Sequence, residues 1–171
     1  MECTIDKWRL DRNTTKTVEE QMKYVLVVDD DKVVNLLITR ELQKKGYGVF
    51  MSYDAVQAGT ALSRARVDAV IVDVQLIGGS AFDVIQRMKL STRLGPIPII
   101  AISSGMTKEL AEKLVRHGAC RCMKKPLDLG VLQQNLEEIL ARDELQIVHR
   151  ELSQSSRPGI EGLAVLTGEA V

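Results

Sequence analysis

The sequence predicts an α/β domain: a five-stranded parallel sheet, doubly wound, with five helices divided between its faces. Three observations lead there. Short runs of strand character, rich in β-branched residues, recur at 24–28, 49–53, 68–72 and 97–102, with a further, less apolar one at 120–124. Such runs fit strands buried on both faces. Stretches with helical spacing of apolar residues separate them. Strands that alternate with helices need crossover connections, and right-handed crossovers wind the sheet doubly.

Taken in order, residues 1–23 are polar, Thr-rich and weakly periodic, and read as a flexible leader. YVLVV (24–28) opens the sheet and stops at Asp29, Asp30 and Asp31. A helix follows with Val34, Leu37, Ile38 and Leu42 on one side, closed by Gly46 as its C′ residue. VFMSY (49–53) is the second strand, and Asp54 caps a helix running to about Arg66, with Ala58, Ala61, Leu62 and Ala65 inward. DAVIV (68–72) ends in Asp73. A loop with Gly78 and Gly79 leads to a helix facing inward through Phe82, Ile85 and Met88, and Gly95-Pro96 ends that unit.

IPIIAI (97–102) ends in Ser103 and Ser104. Leu110, Ala111, Leu114 and Val115 mark the next helix, which stops at Gly118. The strand 120–124 runs into Lys125-Pro126, and Asp128 caps a last helix with Leu132, Leu136, Ile139 and Leu140 inward. The compact domain is expected over 24–142, followed by a helical extension and tail over 143–171, too short for an independent output domain.

Composition narrows the function. Hydrophobic residues make up 45% and charged residues 27% of 171, as in a soluble core. Lys+Arg and Asp+Glu number 23 each, so no basic excess points to direct nucleic-acid binding or an acidic membrane surface. No apolar run approaches the ~18 residues of a membrane span, and the start has no secretory apolar region. A cytoplasmic protein is expected. Cys120 and Cys122 form C-x-C, but Cys3 is remote and no second ligand pair follows, so they read as small strand residues rather than a zinc site.

The chemistry gathers at strand ends. In open parallel sheets ligands bind outside the carboxyl edge, and here that edge carries Asp29-Asp30, Asp73, Ser103 and Lys125. Singly, each has an ordinary explanation: Asp30 or Asp31 as a helix cap, Asp73 as a turn former, Ser103 bonding loop backbone, Lys125 in solvent. Four strand ends with compatible groups are harder to explain without a site. Clustered carboxylates repel unless a cation joins them, and oxygen ligands with room for water favour Mg2+. Asp73 would then face a phosphoryl group as nucleophile, with Lys125 and Ser103 on its oxygens.

With VLVVDDD (25–31), VIVDV (70–74), PIIAISS (98–104) and KKP (124–126) in this order, the chain resembles the receiver domain of two-component response regulators over about 24–142. The resemblance implies the flavodoxin-like strand order 2-1-3-4-5. It implies Asp29 and Asp30 as the Mg2+ pair, Asp30 directly, and Asp73 as phosphoacceptor. Gln75 would offer its backbone carbonyl to the metal. Ser103 would be the switch hydroxyl, Lys125 the paired lysine, and the Lys125-Pro126 bond cis. It further implies a sensor histidine kinase or phosphotransfer protein as phosphohistidine donor, and a downstream protein partner. The output face would be the fourth helix, fifth strand and fifth helix, which could also hold a homodimer.

Two departures stand out. Cys122 occupies the position of the family's switch aromatic, and Ile77 stands where many members have Pro. Cys122 motivates an alternative, an interaction module of the same fold acting independently of phosphorylation. A phosphohydrolase acting on external substrate is a third reading, but it needs a second positioned acid, and D-x-Q after Asp73 supplies none. The expectation is no enzyme beyond slow self-dephosphorylation.

Overall fold

The computed structural model describes residues 22–155, with 143–155 described through the backbone alone. The leader, except for residues 22 and 23, and the tail beyond 155 lie outside the described residues. Five strands, β1 (Tyr24–Val28), β2 (Gly48–Ser52), β3 (Ala69–Asp73), β4 (Ile99–Ser103) and β5 (Arg121–Lys124), form one parallel sheet ordered β2-β1-β3-β4-β5. Five helices connect and flank them: α1 (Lys32–Lys44), α2 (Ala55–Arg64), α3 (Ala81–Lys89), α4 (Lys108–His117) and α5 (Leu129–Ser155). The doubly wound α/β fold and its strand order are as expected. A two-residue hairpin, Gln75–Leu76 with Gly79–Ser80, was not anticipated.

Alternation along the strands builds two cores. Val25, Val27, Ala69, Ile71, Ile100 and Ile102 face α1 and α5, packing on Ile38, Leu42, Leu132 and Leu136. Leu26, Val28, Val70, Val72, Ile99 and Ala101 face the other way, onto Ala58, Leu62, Ile85, Met88 and Leu114 of α2, α3 and α4. Burial on both faces explains why β1, β3 and β4 read as continuous apolar runs.

The helices start where polar side chains close their free N–H groups. Asp31 accepts from Val33 and Val34, Asp54 from Gln57, Thr107 from Leu110, and Asp128 from Gly130 and Val131. At α3 the Ser80 N–H and hydroxyl both donate to Asp83. Gly46 follows α1 in the left-handed region at φ 87°.

Three local expectations change. Leu37 is 50% exposed, because α1 turns Asn35 and Thr39 inward beside Ile38 and Leu42. Val115 is 54% exposed, and Leu114 beside it takes the buried place. Cys120 precedes β5 and is exposed, so only Cys122 is a strand residue. Strands β3 and β4 also run one residue further than read, to Asp73 and Ser103, through the pairs Asp73↔Ile102 and Ser103↔Lys124.

Gly118 ends α4 at φ 113°, its N–H bonded to α4 carbonyls. A Cβ there would lie 2.4 Å from Lys89 Cε, whose ammonium donates to the Gly95 carbonyl. Gly118→Ala should therefore cost about 1–2 kcal/mol through the left-handed backbone, measured by urea unfolding, with the strand-end site unaffected.

Helix α5 packs on the sheet through Leu132, Leu136, Ile139 and Leu140 and continues to Ser155. Among the described residues no helix is long and apolar enough to cross a membrane.

Candidate functional site

The three consecutive aspartates after β1 do three different things. Asp31 caps α1. Asp29 is fully buried, its Oδ1 accepting from the Asp31 N–H at 3.0 Å and its Oδ2 from Lys125 at 2.7 Å. Asp30 is half-buried, and among the described residues its carboxylate makes no hydrogen bond or ion pair.

Asp73 closes β3 beside them. Its Oδ1 accepts from the Gln75 N–H at 3.0 Å and its Oδ2 from Lys125 Nζ at 2.5 Å. Lys125 thus bridges two carboxylates from strands β1 and β3, with its side chain only 16% exposed. It sits just past β5, and its N–H donates to the Ser103 carbonyl at 2.9 Å. The Lys125-Pro126 bond is cis. Ser103 is buried at the end of β4, its hydroxyl accepting from the Gly105 N–H at 3.2 Å, which leaves its own proton available. The topology accounts for this convergence. In a parallel sheet every strand ends on the same edge, and the order puts β1 and β3 side by side at its centre.

Burial pushes the Asp29 carboxyl above the usual carboxylate range, and the Lys125 and Asp31 hydrogen bonds offset only part of this. For Lys125 burial opposes the charge, but the hydrogen bonds and charges of Asp29 and Asp73 outweigh it and hold the ammonium above the usual lysine value. One cation is shared while a further carboxylate, Asp30, stands free. Asp29, Asp30 and Asp73 each offer an oxygen within 4.8 Å of the others. Hard oxygen donors on two buried residues and one half-buried, unengaged one fit a small divalent cation such as Mg2+.

Gln75 lies in the hairpin, exposed, with its N–H on Asp73. Cys122 is half-buried on β5, its Sγ 3.8 Å from the Ala111 carbonyl of α4, and burial pushes its thiol up. It behaves as a small neutral side chain linking β5 to α4. Ile77 is 72% exposed at the hairpin tip. The sequence reading missed Asn35, fully buried on α1, whose Nδ2 donates to Ser52 O at 2.9 Å and Asp29 O at 3.2 Å. The only signal for it was a polar residue within one turn of the apolar stripe.

The sequence model of the response regulator receiver domain matches residues 25–137. Sensor histidine kinase RcsC of Salmonella typhimurium is 29% identical over 113 residues, 66% of this chain and 12% of that protein. Sensor protein EvgS of Escherichia coli O157:H7 is 30% identical over 123 residues, 72% of this chain and 10% of that one. Transcriptional regulatory protein ZraR of Salmonella typhimurium is 32% identical over 118 residues, 68% of this chain and 26% of that one. The chain thus spans only a small part of these curated relatives. Among solved structures, chemotaxis response regulator CheY4 of Vibrio cholerae superposes with TM-score 0.66 at 24% identity, covering 69% of this chain and 98% of that one. The receiver domain of sensor histidine kinase PA1611 from Pseudomonas aeruginosa, solved with a magnesium ion in its active-site cleft, gives TM-score 0.65 at 24% identity, covering 70% and 98%. At these identities the two likenesses bear on the fold.

Proposed function

The chain belongs to the response regulator receiver domain family, and from that premise we propose that it is a phosphoacceptor switch in which Asp73 takes a phosphoryl group from a phosphohistidine. One observation carries this reading: a single ammonium, Lys125, held between the Asp29 and Asp73 carboxylates on the carboxyl edge of the sheet, with Asp30 unengaged beside them. The family acts as a phosphoacceptor rather than on an external substrate.

In the transfer, an Asp73 oxygen attacks phosphorus as the phosphorus–nitrogen bond of the donor imidazole breaks, and the electron pair of that bond stays on the imidazole. Lys125 can pair with a phosphoryl oxygen without leaving Asp29, because an ammonium has three donors. The free Ser103 proton can be donated to a second oxygen. The Gln75 N–H holds the chain after Asp73 against the acceptor. Asp29, Asp30 and Asp73 would hold Mg2+, with the Gln75 backbone carbonyl as a further ligand. Bound there, the cation neutralises charge on carboxylates and phosphoryl oxygens alike.

The donor in this reading is a sensor histidine kinase or phosphotransfer protein, in keeping with the names of the relatives. Ser103 and Lys125 are tied by backbone pairing of β4 to β5, so their movement toward the phosphoryl group carries to the α4–β5–α5 face. There a downstream protein, or a second copy of the chain, would bind. With Cys122 in place of a ring, the signal passes through this backbone pairing and the Cys122 contact to Ala111 rather than a side-chain swing. The setting is the cytoplasm, where such donors act.

Incubation with Mg2+ and acetyl phosphate should add about 80 Da, one phosphoryl group, to the intact protein. The adduct should fail to form with EDTA or in Asp73→Asn, and should decay slowly without a partner. An adduct that survives Asp73→Asn would overturn the assignment.

A further inference from the structure

We propose that Asn35 is a positioning residue for the cation site, fixing through its buried amide the peptide from which Asp30 projects; the inference deepens the phosphoacceptor reading and rests on it. Asn35 lies one turn into α1, fully buried, on the stripe shared with Ile38 and Leu42. A buried amide is costly unless bonded. Here its Nδ2 is directed at the ends of two strands: Ser52 O, the last carbonyl of β2, at 2.9 Å, and Asp29 O, just past β1, at 3.2 Å. A longer contact reaches Val27 O at 3.5 Å.

The Asp29 N–H also donates to Ser52 O, at 3.1 Å. Ser52 O, the Asp29 N–H, Asp29 O and the Asn35 amide therefore form a closed set. It holds Asp29 by both backbone groups. The carbonyl so held belongs to the peptide between Asp29 and Asp30, whose plane determines where the Asp30 Cα sits. Asp30 has no side-chain bond of its own among the described residues, so its aim comes from the backbone.

A second observation separates this role from plain structural bonding. Asn35 Oδ1 is buried and has no hydrogen-bond partner among the described residues. A stranded acceptor takes back part of the stability that the donor end contributes, so plain stabilisation is a poor account of an amide at this position. The donor end is what this position uses. Thr39, one turn on, also buries a polar atom but makes no hydrogen bond to a strand end among the described residues, which makes it the natural control.

The test is the Mg2+ dissociation constant of the full chain by calorimetry, without phosphoryl donor, beside the melting temperature. In Asn35→Leu and Asn35→Ala the constant should rise about tenfold, the usual effect of losing a group that orients a ligand. Asn35→Leu should stay folded and melt no lower than Asn35→Ala, and Thr39→Val should keep the wild-type constant. Folded Asn35 variants that bind Mg2+ like wild type overturn the proposal. So does an equal loss in Thr39→Val, or failure of both Asn35 variants to fold, since either makes the amide structural. A wild type that binds Mg2+ yet forms no phosphoryl adduct sinks the phosphoacceptor reading and leaves the Asn35 result standing.

Discussion

Lys125→Ala should destabilise the metal-free protein by about 3 kcal/mol, the scale of breaking a buried ion pair from one side, and should slow adduct formation from acetyl phosphate about 100-fold. Lys125 is the single cation against Asp29 and Asp73 among the described residues, and those carboxylates are almost without water. Removing it leaves two buried charges in mutual repulsion. The wild-type ammonium has its pKa raised above 10.5, so its stabilisation is complete below that value and fades only as pH climbs through the higher folded one. In the variant the sign reverses onto the carboxylates. With the Asp29 carboxyl pushed up by burial and its cation gone, the fold holds best at low pH and weakens as pH rises. Urea unfolding at pH 5 and pH 8 should therefore show a larger deficit at pH 8, and saturating Mg2+ should recover more stability in the variant than in wild type. A deficit equal at both pH values, or untouched by Mg2+, would mean that Lys125 does not neutralise this cluster.

Much of the site was legible because parallel topology turns a one-dimensional fact, the residue following each strand, into a three-dimensional one. Asp29, Asp73, Ser103 and Lys125 each end or follow a strand, and a common carboxyl edge brings them together with no knowledge of side-chain packing. Their roles within the cluster were less legible. Which of Asp29, Asp30 and Asp31 caps the helix depends on the first turn of α1, and the structure gives that work to Asp31. Asn35 was invisible for a related reason. Its partner Ser52 is seventeen residues away along the chain, so periodicity presents Asn35 only as a polar residue on a helix. Hydrophobic spacing also misplaces Val115, whose neighbour Leu114 is the buried one, and Leu37, because α1 turns the polar Asn35 and Thr39 inward instead.

Mg2+ should raise the thermal midpoint of the protein, and the gain should shrink as pH falls from 8 to 5. At a free concentration 100 times its dissociation constant, a ligand specific to the folded state adds about 2.7 kcal/mol. The pH dependence follows from Asp29, whose folded pKa lies above 3.8 because burial disfavours its charge. What this group contributes to the metal-free fold is present below 3.8 and is lost as pH rises through the higher folded value. Where the Asp29 carboxyl is ionised, the metal-free protein carries a desolvated charge that Lys125 only partly offsets, and a divalent cation relieves that cost. As the pH drops, protons compete for the same oxygen and less is left for the metal to relieve. In Asp73→Asn the gain should be smaller at every pH, since one of the three clustered carboxylates is then neutral. Differential scanning calorimetry with Mg2+ and with EDTA reads both effects. A gain that grows toward pH 5, or is unchanged in Asp73→Asn, would place the cation away from these aspartates. The desolvation that makes this carboxylate cluster costly is thus the same feature that would make it a receptor for a cation and, with it, a phosphoryl group.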